Sequence, residues 1–190
     1  GITPPGGAGT GAGRPWAAWG GGGTGWGWRR GGRSASGGGA GYLAYAQLGM
    51  GGYLANGSHE ADIDVDVAVG DLVFSAGSGQ VSYVQLGNGG VYNYAGQRGD
   101  VSATVGGDVA FTGNGASAYA QFGNGGMSAV GSHSGDLSLV ATGAVDFSAG
   151  AASYAYAQLG NGGAGAVGSH SGGITVDSGS TIDFAGGSGG

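Results

Sequence analysis

The chain has 190 residues, 53 of them glycine, with no Cys, no Lys and only 8% charged side chains. The lack of Cys excludes disulfides, thiolate metal sites and Cys nucleophiles, and no apolar run reaches the roughly 18 residues that a membrane-crossing helix needs. Residues 1–39 hold Arg14, Arg29, Arg30 and Arg33 and no acid, whereas the rest sets Arg98 against eleven acids, a poor surface for nucleic acid, whose phosphates call for clustered Lys and Arg.

Glycine at this level points to collagen or to disorder. Collagen fails because glycine does not fall at every third position and only three prolines are present. Disorder fits poorly because 40% of the residues are hydrophobic, while unfolded chains combine low hydrophobicity with high charge. A fold that uses glycine at many tight corners remains.

In chain order, residues 1–40 form a Gly-, Trp- and Arg-rich segment with all four tryptophans. Its aromatic and basic character suits docking on the acidic remainder, or on another copy, through cation–π and charge contacts. Trp16, Trp19, Trp26, Trp28, Arg29 and Arg30 are the expected assembly contacts. A linker or a degenerate repeat is the plainer alternative.

Residues 41–190 repeat themselves. QLGMGG at 47–52 returns as QLGNGG at 85–90, QFGNGG at 121–126 and QLGNGG at 158–163. The intervals are 38, 36 and 37 residues, and Phe74, Phe111, Phe147 and Phe184 keep nearly the same step. Such a fixed period is the mark of a repeat architecture. Within each copy the hydrophobic period is two. Ala118, Ala120 and Phe122 alternate with Tyr119 and Gln121; Ile63, Val65 and Val67 alternate with Asp62, Asp64 and Asp66. Alternation between Gly, Ser and Asn corners reads as strands, and no helix is expected.

Each copy also divides into similar halves, such as 118–135 and 136–153, in which Ala118 and Ala120 superpose on Leu137 and Leu139. The expected fold is therefore all-β: a parallel β-solenoid with coils of 18–19 residues, two per 37-residue repeat. Eight such coils at about 4.8 Å would span roughly 38 Å. Leu48, Leu86, Phe122 and Leu159 should face inward, and Tyr45, Tyr83, Tyr119 and Tyr156 with their Gln neighbours should line the exterior. The hexamer is read as a corner, because Gly and Asn reach positive φ at least cost. Gly49, Gly87, Asn88, Gly123, Asn124, Gly160 and Asn161 are the corner residues. A phosphate loop is excluded, since no helix follows to hold the anion at its N-terminus.

Three further patterns bear on chemistry. His59, His133 and His170 share one repeat position, with Gln97 in the second copy. With two coils between copies they would stand about 9–10 Å apart, too far to share a zinc with bonds of about 2 Å; surface corner histidines are expected. Asp62, Asp64 and Asp66 form an outward row spaced by about 6.6 Å, too open alone for Ca²⁺, which takes six to eight oxygens. Arg98-Gly99-Asp100 spells a tripeptide read by integrins, yet Gly-Asp is already the repeat's own pair at Gly135-Asp136. No catalytic, cofactor or metal residues are expected, because a catalytic site usually breaks the local pattern.

The phrases YAQLGNGG and GSHSGDLSLVATGAVDFSAG resemble the repeats of filamentous-haemagglutinin-like bacterial adhesins over residues 42–190. The first copy departs at Met50 and in its Asp-rich strand, and the last lacks the acid at Gly173. The resemblance implies a right-handed parallel β-helix, secreted through a partner pore or as an autotransporter, on the cell surface or outside the cell. The function expected is a non-enzymatic structural or adhesive rod or filament. Its partners would be further copies joined end to end, or a host or cell-surface receptor or glycan; no nucleic acid and no transmembrane segment are expected. The alternative is a solenoid that binds or cleaves polysaccharide.

Overall fold

The structure, a computed structural model, describes residues 25–31, 34–37 and 39–187. These form strands, turns and bends with no helix, and therefore none long and apolar enough to cross a membrane. The strands, numbered β1 to β18 along the chain, stack in four parallel sheets.

Sheet 1 stacks β1 (Gly25–Gly31), β5 (Asp62–Val69), β9 (Val101–Val105), β13 (Leu137–Ala141) and β17 (Ile174–Ser178). Sheet 2 stacks β2 (Ser34–Gly37), β6 (Leu72–Ser75), β10 (Val109–Thr112), β14 (Val145–Ser148) and β18 (Ile182–Ala185). Sheet 3 holds β3 (Tyr45–Leu48), β7 (Tyr83–Leu86), β11 (Tyr119–Phe122) and β15 (Tyr156–Leu159). Sheet 4 holds the two-residue strands β4 (His59–Glu60), β8 (Gln97–Arg98), β12 (His133–Ser134) and β16 (His170–Ser171).

The chain is thus a parallel β-solenoid, but its coil is twice the expected length. Tyr119 pairs with Tyr83 on one side and Tyr156 on the other, and Leu137 with Val101 and Ile174. One turn is the whole repeat of about 37 residues, and it visits all four sheets once. The two halves of a repeat do not stack on each other. They share a period-two pattern because their strands lie on different walls of one core. From β1 to β17 the solenoid climbs four steps, roughly 19 Å at about 4.8 Å each, half the length expected for eight coils.

Strands β1 and β2 fall within residues 1–40 and add a rung to sheets 1 and 2. Trp26 and Trp28 stand in register with Ile63 and Val65, Arg29 with Asp66, and Ser34 and Ser36 with Leu72 and Phe74.

The main core lies between sheets 1, 2 and 3. Ile63, Val65, Leu72, Phe74, Val84 and Leu86 supply one turn of it, and Leu137, Leu139, Val145 and Phe147 part of another. Phe74, Phe111, Phe147 and Phe184 form a ladder with ring centres 4.8, 4.9 and 5.0 Å apart. Burying a side chain of this size contributes about 1.5–3 kcal/mol, and stacked equivalents conserve shape from turn to turn. Leu48, Leu86, Phe122 and Leu159 belong to this core, as their alternation implied.

Sheet 3 is buried on both faces. After each sheet 3 strand the chain turns back and covers the strand's other side, so Tyr83, Gln85, Tyr119 and Gln121 are fully buried. Tyr83, Val91 and Tyr119 form a second apolar cluster, joined by Leu43, Val81, Met127 and Tyr156. The exterior expected for this Tyr/Gln row is thereby corrected for the inner turns: only Tyr45, on the first turn, keeps substantial exposure. Alternation reveals that a strand has two different faces. It does not reveal that a later segment folds over the second one.

Candidate functional site

Buried polar side chains need partners, and the amide nitrogens of the sheet 3 glutamines find theirs turn by turn. Gln85 Nε2 donates to the carbonyls of Asn88, Gly123 and Gly125 at 3.2, 3.0 and 3.3 Å. Gln121 repeats this toward Asn124, Gly160 and Gly162, and Gln47 toward Met50, Gly87 and Gly89. Each amide clips its own corner to the corner of the following turn. Beside it runs a tyrosine ladder, Tyr45, Tyr83, Tyr119 and Tyr156, with ring centres 4.7, 4.8 and 5.0 Å apart. Burial, and then the neighbouring tyrosines, push the Tyr119 hydroxyl far above its ordinary range. Burial raises the Tyr83 and Tyr156 hydroxyls as well, so these three rings stay neutral at any ordinary pH.

The corner residues form a third ladder. The Asn88 amide N–H donates to Asn124 Oδ1 and the Asn124 N–H to Asn161 Oδ1, at 2.9 and 3.0 Å. Asn124 Nδ2 reaches the carbonyls of Gly99 and Ser134 at 2.7 and 3.1 Å, which pins the corner to sheet 4. Asn161 makes the equivalent pair to Gly135 and Ser171. Gly49, Gly87, Gly123 and Gly160 all adopt positive φ, 139° at Gly123. A Cβ at Gly87 would overlap the Gly123 carbonyl, and one at Gly123 the Gly160 carbonyl. Glycine is demanded here by conformation and by the turn stacked against it.

The acids near sheet 1 serve the same stacking. Asp62 Oδ1 accepts the Asp100 amide at 2.9 Å, Asp100 Oδ1 the Asp136 amide at 2.8 Å, and Asp136 Oδ1 the Gly173 amide at 2.7 Å. Asp64 accepts from the Ser102 hydroxyl at 2.6 Å. The Asp100 carboxylate of the Arg-Gly-Asp triplet is therefore engaged at one oxygen. Among the described residues no group of three or more His, Asp or Glu is arranged to hold a metal ion.

The histidine column differs from its expected spacing. With the coil doubled in length, His133 and His170 occupy adjacent rungs. Their rings stack at 4.8 Å and their Nδ1 atoms lie 2.9 Å apart. His133 is fully buried, and burial, then the charge of His170, lower its pKa to about 4. It is not a surface corner residue; His170, on the last rung of sheet 4, is exposed.

The repetition also breaks around β4 and β8. On the outer wall a groove is lined by Ser58, His59, Glu60, Gly96, Arg98 and Ser132. Glu60 and Arg98 are register partners across β4 and β8. Tyr92 and Tyr94, in the segment leading to β8, are 39% and 57% exposed, and Tyr53 meets Tyr92 edge-on with ring centres 6.2 Å apart. The other turns carry Leu54, Ser128 and Gly165 at the Tyr92 position, and Val130 and Val167 at that of Tyr94.

No family model matches this chain, and no curated protein or solved structure shows significant similarity to it.

Of the residues singled out in the sequence, the corner set lies together along one column. Trp16 and Trp19 lie outside the described residues; Trp26, Trp28, Arg29 and Arg30 lie in β1, paired with β5. Tyr53, Tyr92 and Tyr94 carry no strand signal in the sequence, because each stands in a loop between strand patterns. Aligning the turns position by position, and asking where an aromatic replaces Ser, Gly or Val, finds Tyr92 and Tyr94.

Proposed function

We propose that the chain is a non-enzymatic structural and adhesive segment of a secreted bacterial surface or extracellular protein, akin to the filamentous-haemagglutinin-like adhesins. It presents a rigid, repetitive rod to a receptor or glycan. The observation that supports this reading is the use made of interior polar groups. Gln85, Asn88, Gln121 and Asn124, all buried, hold one turn on the next, which gives stiffness and length.

End-to-end association of copies is part of the same reading. The basic residues 1–39, with Arg14, Arg29, Arg30 and Arg33 and no acid, complement the acidic remainder. Light scattering over a concentration series should show growing particles, shortened by high salt.

Beads coated with the chain, and bacteria displaying it, should bind epithelial cells more than uncoated beads and non-displaying bacteria do. Equal binding in both pairs overturns the adhesive reading. A second reading, a solenoid that binds or cleaves polysaccharide, is favoured by the groove lined by His59, Glu60 and Arg98. Release of reducing ends from a polysaccharide panel by the purified chain would make it an enzyme.

A further inference from the structure

Asn-Gly steps occur at Asn56, Asn88, Asn114, Asn124 and Asn161. Asparagine is a thermolabile residue, and a following glycine, with no Cβ, leaves the backbone nitrogen beside it unshielded. The fold ties down four of these steps. Asn88, Asn124 and Asn161 each donate Nδ2 to two carbonyls and accept a backbone N–H at Oδ1, all between 2.7 and 3.1 Å. The N–H groups of Gly89, Gly125 and Gly162 are donated to the carbonyls of Met50, Asn88 and Asn124 at 2.7, 2.8 and 2.8 Å. Asn114 Nδ2 donates to Ser75 Oγ and the Ala76 carbonyl at 2.9 and 2.6 Å, and a Cβ at Gly115 would overlap the Gly79 carbonyl. Asn56 has none of this. Asn56, Gly57 and Ser58 are exposed, and a Cβ at Gly57 would meet nothing within 4 Å. Neither the Asn56 side chain nor the Gly57 N–H has a hydrogen-bond partner among the described residues. On the third turn the equivalent Gly131 N–H is bonded to the Val167 carbonyl at 2.8 Å.

We propose that Asn56 and Gly57 form a self-modification site, at which the folded chain converts its own asparagine to aspartate and isoaspartate while the other four steps persist. The Gly57 nitrogen gives its proton to solvent base and attacks Asn56 Cγ. A C–N bond forms, the side-chain amide departs as ammonia, and a five-membered succinimide closes. Water then opens the ring. Cleavage at Cγ leaves aspartate; cleavage at the main-chain carbonyl leaves isoaspartate, with the chain running on through Cγ. Water is the only co-reactant, and nothing is oxidised or reduced. Such an intramolecular attack needs nitrogen and carbon brought into near-attack geometry. At Asn56 this takes only local rotation in an open loop, which glycine permits. At Asn124 the same approach breaks three side-chain bonds and the Gly125 N–H bond, which slows the reaction at least about tenfold. The new carboxylate stands two residues before Ser58, where the groove lining of Ser58, His59, Glu60 and Arg98 begins. The surroundings of that groove therefore become more acidic as the folded protein ages. The added backbone atom of isoaspartate falls between the inter-turn bonds of Leu54 and His59, so the stack tolerates it.

The test incubates the whole chain at pH 8 and 37 °C, folded and in guanidinium, and follows each of these asparagines by peptide mass spectrometry. In guanidinium all should convert at similar rates. In the folded chain Asn56 should convert nearly as fast as in the unfolded one, whereas Asn88, Asn124 and Asn161 slow by at least about tenfold. The folded protein should accordingly yield one more acidic species on ion exchange, with an unchanged circular dichroism spectrum. Asn56→Val, which installs the residue that Val130 and Val167 supply on the third and fourth turns, should abolish that species. Should this variant fail to fold, Asn56→Gln, whose ring would need six members, must abolish it instead. An Asn56 that persists as long as Asn124 in the folded chain overturns the proposal. So does an acidic species that forms unchanged in either folded variant.

Discussion

The Nδ1 atoms of His133 and His170 lie 2.9 Å apart, with their rings stacked at 4.8 Å. Such a contact holds one proton between two nitrogens, so the pair requires at least one neutral imidazole. His133 is the neutral member: burial first, and then the charge of His170, bring its pKa from 6.5 to about 4. The unfolded chain takes up that proton near pH 6.5, the folded chain only near 4, so between these values the unfolded state binds more protons. Stability is then full above about pH 6.5 and falls as the pH drops toward 4. Urea unfolding should show a midpoint that declines across this window. His133→Gln, which installs the residue found at Gln97, should flatten the decline; an unchanged slope in that variant refutes the assignment.

The glutamine clips set up a graded comparison. Gln121 donates to three carbonyls, two on the following turn, whereas Gln158 has a single bond at 3.5 Å to Asn161 in its own turn. Removing a buried donor strands its acceptors and destabilises more than the net value of the bond. Gln121→Ala should therefore lower stability by roughly 2–4 kcal/mol, and Gln158→Ala by under about 1 kcal/mol. Equal losses in denaturant titrations would show that the inter-turn bonds do not hold the stack.

That comparison also marks where the sequence stops being legible. The period of 37 and the inward Leu and Phe columns could be read directly, because side-chain direction alternates strictly along a strand. The coil length could not. Residues 118–122 and 137–141 carry the same alternation, yet they sit in sheet 3 and sheet 1 and never pair. Similar patterning shows that both strands have a core side; only register tells which strands are neighbours. The expected histidine spacing rests on the same coil length, and with half as many coils the His133 and His170 rings are in contact. Gln121 and Tyr119 read as exterior for a different reason, since the segment that covers them, 123–130, is mostly glycine and small residues with no apolar pattern of its own. Tyr92 and Tyr94 give only a negative signal, a break in the repeat where other turns carry Ser128, Gly165, Val130 and Val167.

Corner glycines should be intolerant in proportion to the crowding above them. Gly123 combines φ of +139° with a Cβ direction that runs into the Gly160 carbonyl. Neither obstacle yields without separating the turns. Gly123→Ala is expected to destabilise by more than about 3 kcal/mol, well beyond the usual range for a point change. Gly41, where a Cβ would meet nothing within 4 Å, is the control. Gly41→Ala should move Tm by no more than a few degrees. A tolerant Gly123 would mean that the corner can open without loss of the stack.

The converse holds where a bulky residue occupies a conformation that suits glycine or asparagine. Leu43, Val81, Ser117 and Tyr154 share one repeat position, and all four adopt φ between 52° and 59°. For a residue with a Cβ this left-handed conformation costs about 1–2 kcal/mol. Val81 recovers part of that by packing on the tyrosine cluster, so replacing it would forfeit contacts. Tyr154 is 83% exposed and has little burial to lose. Asparagine tolerates the left-handed region and keeps less unfolded-state freedom than glycine. Tyr154→Asn is therefore expected to stabilise the chain by about 0.5–1 kcal/mol, read as a rise in the urea midpoint at unchanged m. Val81→Asn should be neutral or destabilising, because the strain relieved is offset by lost packing. A destabilised Tyr154→Asn would show that the ring contributes to a surface contact that outweighs its backbone strain.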